Sequence, residues 1–460
     1  MIKKIHLIAA CGTGMGTLAC SLKEMGYTVS GSDQNIYPPM SDFLKEKGID
    51  LFQGYDPSHL DHGPDLVIIG NAVTRQNIEA KAVLSSGIPY VSMPEAVNEF
   101  IAKDKKIILV TGTHGKTTTS SIMAHILYSA GMDPSFLIGG ILKDFNSGFR
   151  IGQGEYMVIE GDEYDTAFFD KGSKFMHYTP KIIIMTGIEF DHADIFTDID
   201  HVKQAFSALV RKNEKNSHVI AFEDSLHLRQ VLSGSPVSVE TYGEKAWWTF
   251  SNHRQQGSRT CFDVTGPFES ISIETGLVGR HNLYNTLACI AAAKRIGIGN
   301  EAIKFSLNSF SGVKRRQEIR GVKNGITVMD DFAHHPTAVS ETIRALKPCY
   351  KDGRIIAVFE PRTNTSMRTF FQDSYPDAFT DADMVCICEP SVKKNIPDEE
   401  RLSIRKLIAD IEKKGIPAFY FENTESLINF LILELKDKDL ALIMSNGGFD
   451  NIHSKLLERI

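Results

Sequence analysis

The 460-residue chain holds only seven cysteines, at Cys11, Cys20, Cys261, Cys289, Cys349, Cys386 and Cys388, and none form a C-x-x-C pair. Their odd number and scatter exclude a disulfide framework and a cysteine-ligated zinc site. They fit a reducing, cytoplasmic setting. No run of 18 apolar residues occurs, so no membrane span is expected. Basic charge is in short supply: 50 Lys and Arg stand against 57 Asp and Glu, for a net charge of −7. That balance gives no broad basic face for nucleic acid or an anionic membrane. Repeats and low-complexity segments are lacking, and nothing in the sequence points to an obligate protein partner. The N-terminus is basic at Met1-Ile2-Lys3-Lys4 and runs on to Ile8-Ala9-Ala10-Cys11, which looks like a lipoprotein processing site. The apolar stretch between them is about six residues and contains His6, short of the roughly 7–15 residues an export signal needs.

What is present is ordinary for a globular chain: 42% hydrophobic and 23% charged residues. The length suggests about three domains. Alternating strand and helix patterns divide it into residues 1–106, 107–313 and 314–460, each predicted as α/β with helices on the sheet faces. The first has strands at Ile5–Ala9, Thr28–Gly31 and Leu66–Ile69, with a glycine turn at Gly12, Gly14 and Gly16 and a helix over Leu18–Met25. The second has strands at Ile107–Val110, Met157–Ile159 and Ile182–Met185, and residues 236–278 read as irregular antiparallel β. The third has strands at Ile326–Met329, Ile355–Phe359, Met384–Ile387 and Leu440–Met444, with helices over Pro336–Leu346 and Arg401–Lys413.

The most informative segment is the loop Thr111-Gly112-Thr113-His114-Gly115-Lys116-Thr117-Thr118-Thr119, placed between the strand Ile107–Val110 and a predicted helix Thr118–Ala130. Glycines let successive N–H groups turn toward phosphates, and the helix start adds its positive end. Lys116 supplies a point charge, and the Thr117 hydroxyl is suited to magnesium. The pattern predicts an ATP site, against the plain alternative of a glycine turn with a solvated lysine. Its spacing departs from Walker A, which needs a glycine where Val110 stands. Glu160, in Glu160-Gly161-Asp162-Glu163 after the strand Met157–Ile159, is the candidate magnesium carboxylate. His192 follows the strand Ile182–Met185. Three strand ends would thus offer Thr117, Glu160 and His192 to one crevice, the usual ligand position in an α/β sheet.

Taken in order, these segments resemble the Mur ligase family over the whole chain. The others that carry the likeness are Gly279-Arg280-His281-Asn282-x-x-Asn285, Arg315-Arg316 and Asp330-Asp331-Phe332-Ala333-His334-His335-Pro336. The resemblance implies a Rossmann-like N-terminal domain, a central P-loop ATPase-like domain and a Rossmann-like C-terminal domain. It also implies an ATP- and magnesium-dependent ligase that activates a carboxylate as an acyl phosphate and transfers it to an amine. Asp-Asp-aromatic-x-His-His-Pro resembles the branch acting on UDP-N-acetylmuramate. The segments at 29–40, 161–170, 359–362 and 445–450 resemble members whose acceptor is the recycled murein tripeptide L-Ala-γ-D-Glu-meso-diaminopimelate. Two departures stand out. The first turn usually begins Gly-x-x-Gly, but here reads Ala9-Ala10-Cys11-Gly12. The carbamylated lysine of other branches, 14 residues past the loop histidine, falls on Phe206, so no carbamate is expected.

The likeness implies roles residue by residue. Gly112, Thr113, His114, Gly115, Lys116, Thr117 and Thr118 would bind ATP phosphates. His281, Asn282 and Asn285 would surround adenine, with an Asn helix cap as the plain alternative. Asp331 would take the ribose and Arg316 the γ-phosphate. Thr117 and Glu160 would hold one magnesium, and His192 a second. Gly12, Gly14, Ser32, Asp33, Asn71 and Ala72 would contact the UDP-sugar. His334, Arg362, Arg368, Ser445, Asn446 and Phe449 would meet the peptide, guanidinium matching carboxylate. His335 or His334 would lie near the incoming amine. Lys116→Ala is expected to abolish turnover and spare the fold. Rival readings are the alanine-adding ligase on the same fold, a P-loop ATPase without ligase activity, and a dehydrogenase using Gly12-x-Gly14 and Asp33. The last meets Thr17 where the third glycine of G-x-G-x-x-G belongs.

Overall fold

The computed structural model describes residues 2–36, 40–257, 259–267, 270–390 and 396–460. Tyr37, Pro38 and Pro39, part of the 29–40 segment above, lie outside them. The chain divides into two compact units: Met1–Ile188 with Asp200–Tyr242 and Ala288–Ser306, and Glu189–Ile199 with Gly243–Leu287 and Leu307–Ile460.

The first unit contains two parallel-dominated sheets. Strands β1 (Lys4–Ile8), β2 (Thr28–Asp33), β3 (Asp50–Gln53), β4 (Leu66–Ile69) and β5 (Tyr90–Ser92) pair in the order β3-β2-β1-β4-β5. All of these pairings are parallel, with Ile8 opposite both Ser32 and Ile69. This is the Rossmann order, and its switch point lies beside β1. The turn after β1 and the ends of β2 and β4 therefore open on one edge. The turn carries a cost: Ala9 has φ 65°, a left-handed conformation that disfavours any residue with a Cβ. Ala9→Gly is expected to raise unfolding stability by up to about 1 kcal/mol, the left-handed penalty less the entropy of a glycine. Denaturant titration reads this directly, and an unchanged or lower midpoint would contradict it.

The second sheet consists of β6 (Lys106–Thr111), β7 (Ser135–Leu142), β8 (Ser147–Arg150), β9 (Tyr156–Gly161), β12 (Ile182–Met185), β13 (His218–Phe222) and β14 (Ser238–Tyr242). A short hairpin, β10 (Asp165–Ala167) and β11 (Asp170–Ser173), lies outside it. The sheet order β14-β13-β12-β6-β9-β7-β8 puts β6 between β12 and β9, both parallel to it. Apolar residues of β6, β9 and β12 are almost completely buried, as expected of strands covered on both faces.

In the second unit β15 (Thr249–Gln256), β16 (Arg259–Thr265) and β17 (Ser270–Thr275) form an antiparallel sheet, with pairing on either side of β16. The antiparallel reading of 236–278 thus holds for these strands but not for Ser238–Tyr242, which is a parallel edge strand of the large sheet. A short polar edge strand has no period that reports its direction. Strands β18 (Glu318–Lys323), β19 (Ile326–Asp331), β20 (Ile355–Phe359), β21 (Met384–Cys388), β22 (Ala418–Phe421) and β23 (Leu440–Met444) pair as β18-β19-β23-β20-β21-β22. All but β18 run parallel. The last strand, β23, sits between β19 and β20, so the residues after all three share one edge. Separate apolar clusters cover the two sheet faces.

Candidate active site

In the first unit, the loop between β6 and the helix Lys116–Ser129 is fixed to the end of β12. Thr113 N donates to Gly187 O at 3.0 Å, and Thr186 Oγ1 donates to His114 O at 2.5 Å. Gly112 has φ 131°. A Cβ there would also meet Gly187 O at 2.8 Å and Thr186 N at 3.0 Å. Only glycine fits this backbone and this approach. Gly115, at φ 78°, precedes the helix and offers no capping side chain, which leaves the first N–H groups for an anion.

Side chains from β9 complete this corner. Thr117 Oγ1 donates to Glu160 Oε1 at 2.7 Å, and Gly139 N donates to Glu160 Oε2 at 2.7 Å. Burial and the Asp162 charge raise the Glu160 pKa, despite the Thr117, Lys116 and Gly139 contacts that oppose them. Lys116 Nζ donates to Glu163 Oε1 at 3.1 Å and Oε2 at 2.8 Å, with only 11% and 3% of the two side chains exposed. Burial works against the lysine charge, but Glu163, Asp162 and Glu160 outweigh it and hold its pKa above the ordinary value. Sequence reasoning chose Glu160 from this acidic run and missed Glu163. It also missed Thr186, for which a hydroxyl at the end of a strand neighbouring β6 was the available signal. A hydroxyl and a carboxylate 2.7 Å apart are hard oxygen donors of the kind magnesium takes. Phe206 packs in the core with its ring 5.5 Å from Phe175.

At the N-terminal sheet edge, Gly12 is exposed and starts the helix Thr13–Glu24 without a side-chain cap. A Cβ on Gly14 would strike Met93 Cε at 2.7 Å. Asp33 braces the turn by accepting from Cys11 N at 2.8 Å and Asn35 N at 3.0 Å. Asn71 and Ala72 are exposed. Ser32 does not behave as expected: it is fully buried, and its hydroxyl donates to Glu79 Oε1 at 2.9 Å.

In the second unit, His192 has φ 56°, a strained conformation of the kind that collects at functional sites. Its neighbour Asp191 is buried, which favours the neutral acid. The charges of His192, His334 and His335, with the His192 amide, outweigh burial and hold its pKa at about 2. Of the two histidines expected near the amine, His335 is the one that supports the turn. It is the N-cap of the helix Pro336–Leu346, its Nδ1 accepting from Thr337 N at 3.2 Å. Its Nε2 lies 3.3 Å from Phe190 O, and its ring packs edge-on against Phe371. Both nitrogens are thus engaged. His334 is half-buried, with Nδ1 3.0 Å from Phe332 O.

Asp331 is also committed locally. One oxygen accepts from Gln317 N at 2.7 Å and the other from Ala333 N at 2.8 Å. Burial raises its pKa, against Arg316 and these amides. The two arginines divide their work. Arg315 donates to Ser445 O and Gly447 O, both at 2.6 Å, and so ties its loop to the end of β23. Arg316 lies over the Phe332 ring at 4.8 Å. His281, Asn282 and Asn285 lie inside the helix Arg280–Arg295 instead of capping it. Asn282 Nδ2 donates to Val278 O at 2.8 Å, and Asn285 Nδ2 to Asn282 Oδ1 at 3.2 Å. Desolvation and the Arg316 charge push His281 down to about 4, so its ring is neutral at neutral pH.

The edge formed by β19, β23 and β20 gathers the residues assigned to the peptide. Ser445 Oγ donates to Glu360 Oε2 at 2.7 Å, and Arg362 Nη1 lies 3.6 Å from the same oxygen. Arg362 lies so close over Gly447 that a side chain there would collide with it. Asn446 Oδ1 is buried without a hydrogen-bond partner. Two expectations change. Phe449 is 1% exposed and part of the apolar cluster, so its ring belongs to the core. Arg368 is ion-paired with Glu400 and donates to Asn364 Oδ1 at 3.2 Å, so a carboxylate already occupies its fork.

A glycine loop opening a helix N-terminus, with Glu160 held on Thr117 and Glu163 on Lys116, is the arrangement of an ATP-using enzyme. Family models match three segments in order: the Mur ligase family catalytic domain over residues 4–105, the Mur ligase middle domain over 110–293 and the Mur ligase glutamate ligase domain over 315–447. The chain belongs to the Mur ligase family of ATP- and magnesium-using amide ligases. It is 40% identical over 459 residues to the UDP-N-acetylmuramate–L-alanyl-γ-D-glutamyl-meso-2,6-diaminoheptanedioate ligase of Escherichia coli K12, covering 99% of this chain and 98% of that one. It is 32% identical over 460 residues to the UDP-N-acetylmuramate–L-alanine ligase of Clostridium acetobutylicum, covering 99% and 98%. Among solved structures, a murein peptide ligase from Psychrobacter arcticus 273-4 matches with a TM-score of 0.73 and 34% identity, over 99% of this chain and 98% of that one. No helix among the described residues is long and apolar enough to cross a membrane.

Proposed function

We propose that the protein joins UDP-N-acetylmuramate to the tripeptide L-alanyl-γ-D-glutamyl-meso-diaminopimelate, in the recycling of peptidoglycan. The observation that carries the acceptor is the 40% full-length identity to the tripeptide-adding ligase, against 32% to the alanine-adding one. Residues 1–106 are taken as the UDP-muramate domain, 107–313 as the ATP domain and 314–460 as the peptide domain. All three substrates are small molecules.

The lactyl carboxylate attacks the γ-phosphorus of ATP and ADP departs. The tripeptide amine then attacks the acyl carbon, and inorganic phosphate leaves with the bridging oxygen. Both early reactants are anions, so the protein's task is positioning and charge neutralisation. The 112–118 backbone and Lys116 serve the triphosphate, and Arg316 serves the γ-phosphate. Thr117 and Glu160 would hold magnesium, with His192 assigned to a second ion; magnesium supplies Lewis-acid screening of the phosphate charge. His281, Asn282 and Asn285 are assigned to adenine, and Asp331 orders the turn on which the ribose would rest. Gly12, Gly14, Asp33, Asn71 and Ala72 take the UDP-sugar. Arg362 with Ser445 and Asn446 takes the peptide, and His334 lies toward the amine.

The chemistry has an isotopic signature. With ¹⁸O in the lactyl carboxylate, each turnover is expected to deliver one ¹⁸O to inorganic phosphate, read by the ³¹P isotope shift. Phosphate free of label would rule out the acyl phosphate.

A further inference from the structure

The N-terminal sheet buries a hydrogen-bonded cluster that the proposed mechanism does not use. At its centre is Glu79, in the first turn of the helix Ile78–Ser86 and fully buried. His6 Nε2 lies 2.7 Å from Glu79 Oε1, and Ser32 Oγ donates to the same oxygen at 2.9 Å. Asp56 N donates to Oε2 at 3.2 Å, and His59 Nδ1 lies 3.2 Å from it. The chain of contacts continues outward: His6 Nδ1 lies 2.8 Å from Ser30 Oγ, which lies 3.1 Å from His62 Nε2 at the surface.

An ionised Glu79 satisfies the contacts by accepting from four donors: His6 Nε2–H, the Ser32 hydroxyl, the Asp56 amide and His59 Nδ1–H. The Ser30 hydroxyl bridges His6 Nδ1 and His62 Nε2. Burial opposes the carboxylate charge, but His6 with Ser32 and His59 outweighs it, and the Glu79 pKa lies below its ordinary value. An apolar side chain would fill this space with less loss of solvation. What the carboxylate does that an apolar group cannot is fix four segments to one point. They are β1 through His6, the end of β2 through Ser32, the segment after β3 through Asp56 and His59, and its own helix, which follows Asn71 and Ala72.

We propose that Glu79 is a positioning residue for the UDP-sugar: it fixes the end of β2, and with it Asp33, relative to the segment leading from Asn71 to the helix Ile78–Ser86. The inference rests on the assignment of the UDP-sugar to this edge. Ser32 acts through Glu79 as part of the same brace and does not touch the ligand with its hydroxyl.

The test is steady-state kinetics on the full chain with each substrate varied in turn. In Glu79→Gln, the amide nitrogen faces donors where a carboxylate oxygen accepted them. The KM for UDP-N-acetylmuramate is expected to rise about tenfold, with kcat and the KM for ATP within about twofold of wild type. Equal changes in all three KM values, or none, would overturn the proposal. Should Glu79→Gln fail to fold, His59→Leu decides: it removes one donor at the rim, where 14% of the side chain is exposed. It is expected to raise the same KM about threefold and leave the others unchanged; an unchanged KM for the UDP-sugar would overturn the proposal. Calorimetric titration of wild type with UDP-N-acetylmuramate separates the two failures. Absent binding removes the substrate assignment and the inference together, whereas normal binding in wild type and in Glu79→Gln removes the inference alone.

Discussion

Lys116→Ala should lower turnover by about a thousandfold or more, the scale set by losing a charge directed at a transferring phosphoryl group. The structure adds a second effect. Glu163 is 3% exposed, and both of its carboxylate oxygens accept from Lys116 Nζ. Removing the lysine leaves a buried carboxylate without its cation, a change that costs about 3 kcal/mol. The single variant should therefore also melt lower, which revises the expectation that the fold is spared. Adding Glu163→Gln to Lys116→Ala removes the stranded charge. The double variant should recover much of the melting temperature and none of the turnover. Recovery of turnover with stability would mean that Lys116 is a structural cation, and the phosphate role would be lost.

The second large effect concerns the acceptor. With ATP, magnesium and UDP-N-acetylmuramate held constant, phosphate release should be at least about a hundredfold faster with the tripeptide than with L-alanine at equal concentration. A site built for the polar groups of a longer acceptor leaves them unpaired when a shorter one binds. The groups proposed for this role are Arg362, Glu360 and Ser445, in mutual contact at the edge shared by β20 and β23. Arg362→Ala should remove most of that preference, leaving the slow L-alanine rate unchanged. Faster release with L-alanine than with tripeptide in the wild-type protein would move the chain to the alanine-adding reading.

How far the sequence reached follows from which signals are local. Leu66–Ile69, Ile182–Met185, Ile355–Phe359 and Leu440–Met444 emerge at their expected bounds, because continuous apolar runs mark strands buried on both faces. The 111–119 loop and its pairing with Glu160 were legible because strand, glycine turn and helix are adjacent in the chain. The burial of Phe449, and which of His334 and His335 caps the helix, were not. Phe449 and His335 each sit in a segment with a functional likeness, but their side chains are claimed by packing and capping, which depend on elements distant in sequence. Ser32 fell the same way, since its partner Glu79 is 47 residues on. Ser238–Tyr242 was misread because a polar edge strand lacks the apolar run that declares parallel pairing.

The position of β23 has a consequence for how the protein is made. The strand synthesised last of the six is the one that separates β19 from β20. Until residues 440–444 emerge, those two strands have no partner for their facing edges, and two open ladders are exposed to other chains. This sheet therefore completes only after residues 440–444 have left the ribosome, whereas β1–β5, within residues 4–92, can close long before. A chain cut short before β23 would lose the middle of this sheet, and should be found in aggregates instead of as a soluble fragment with reduced activity.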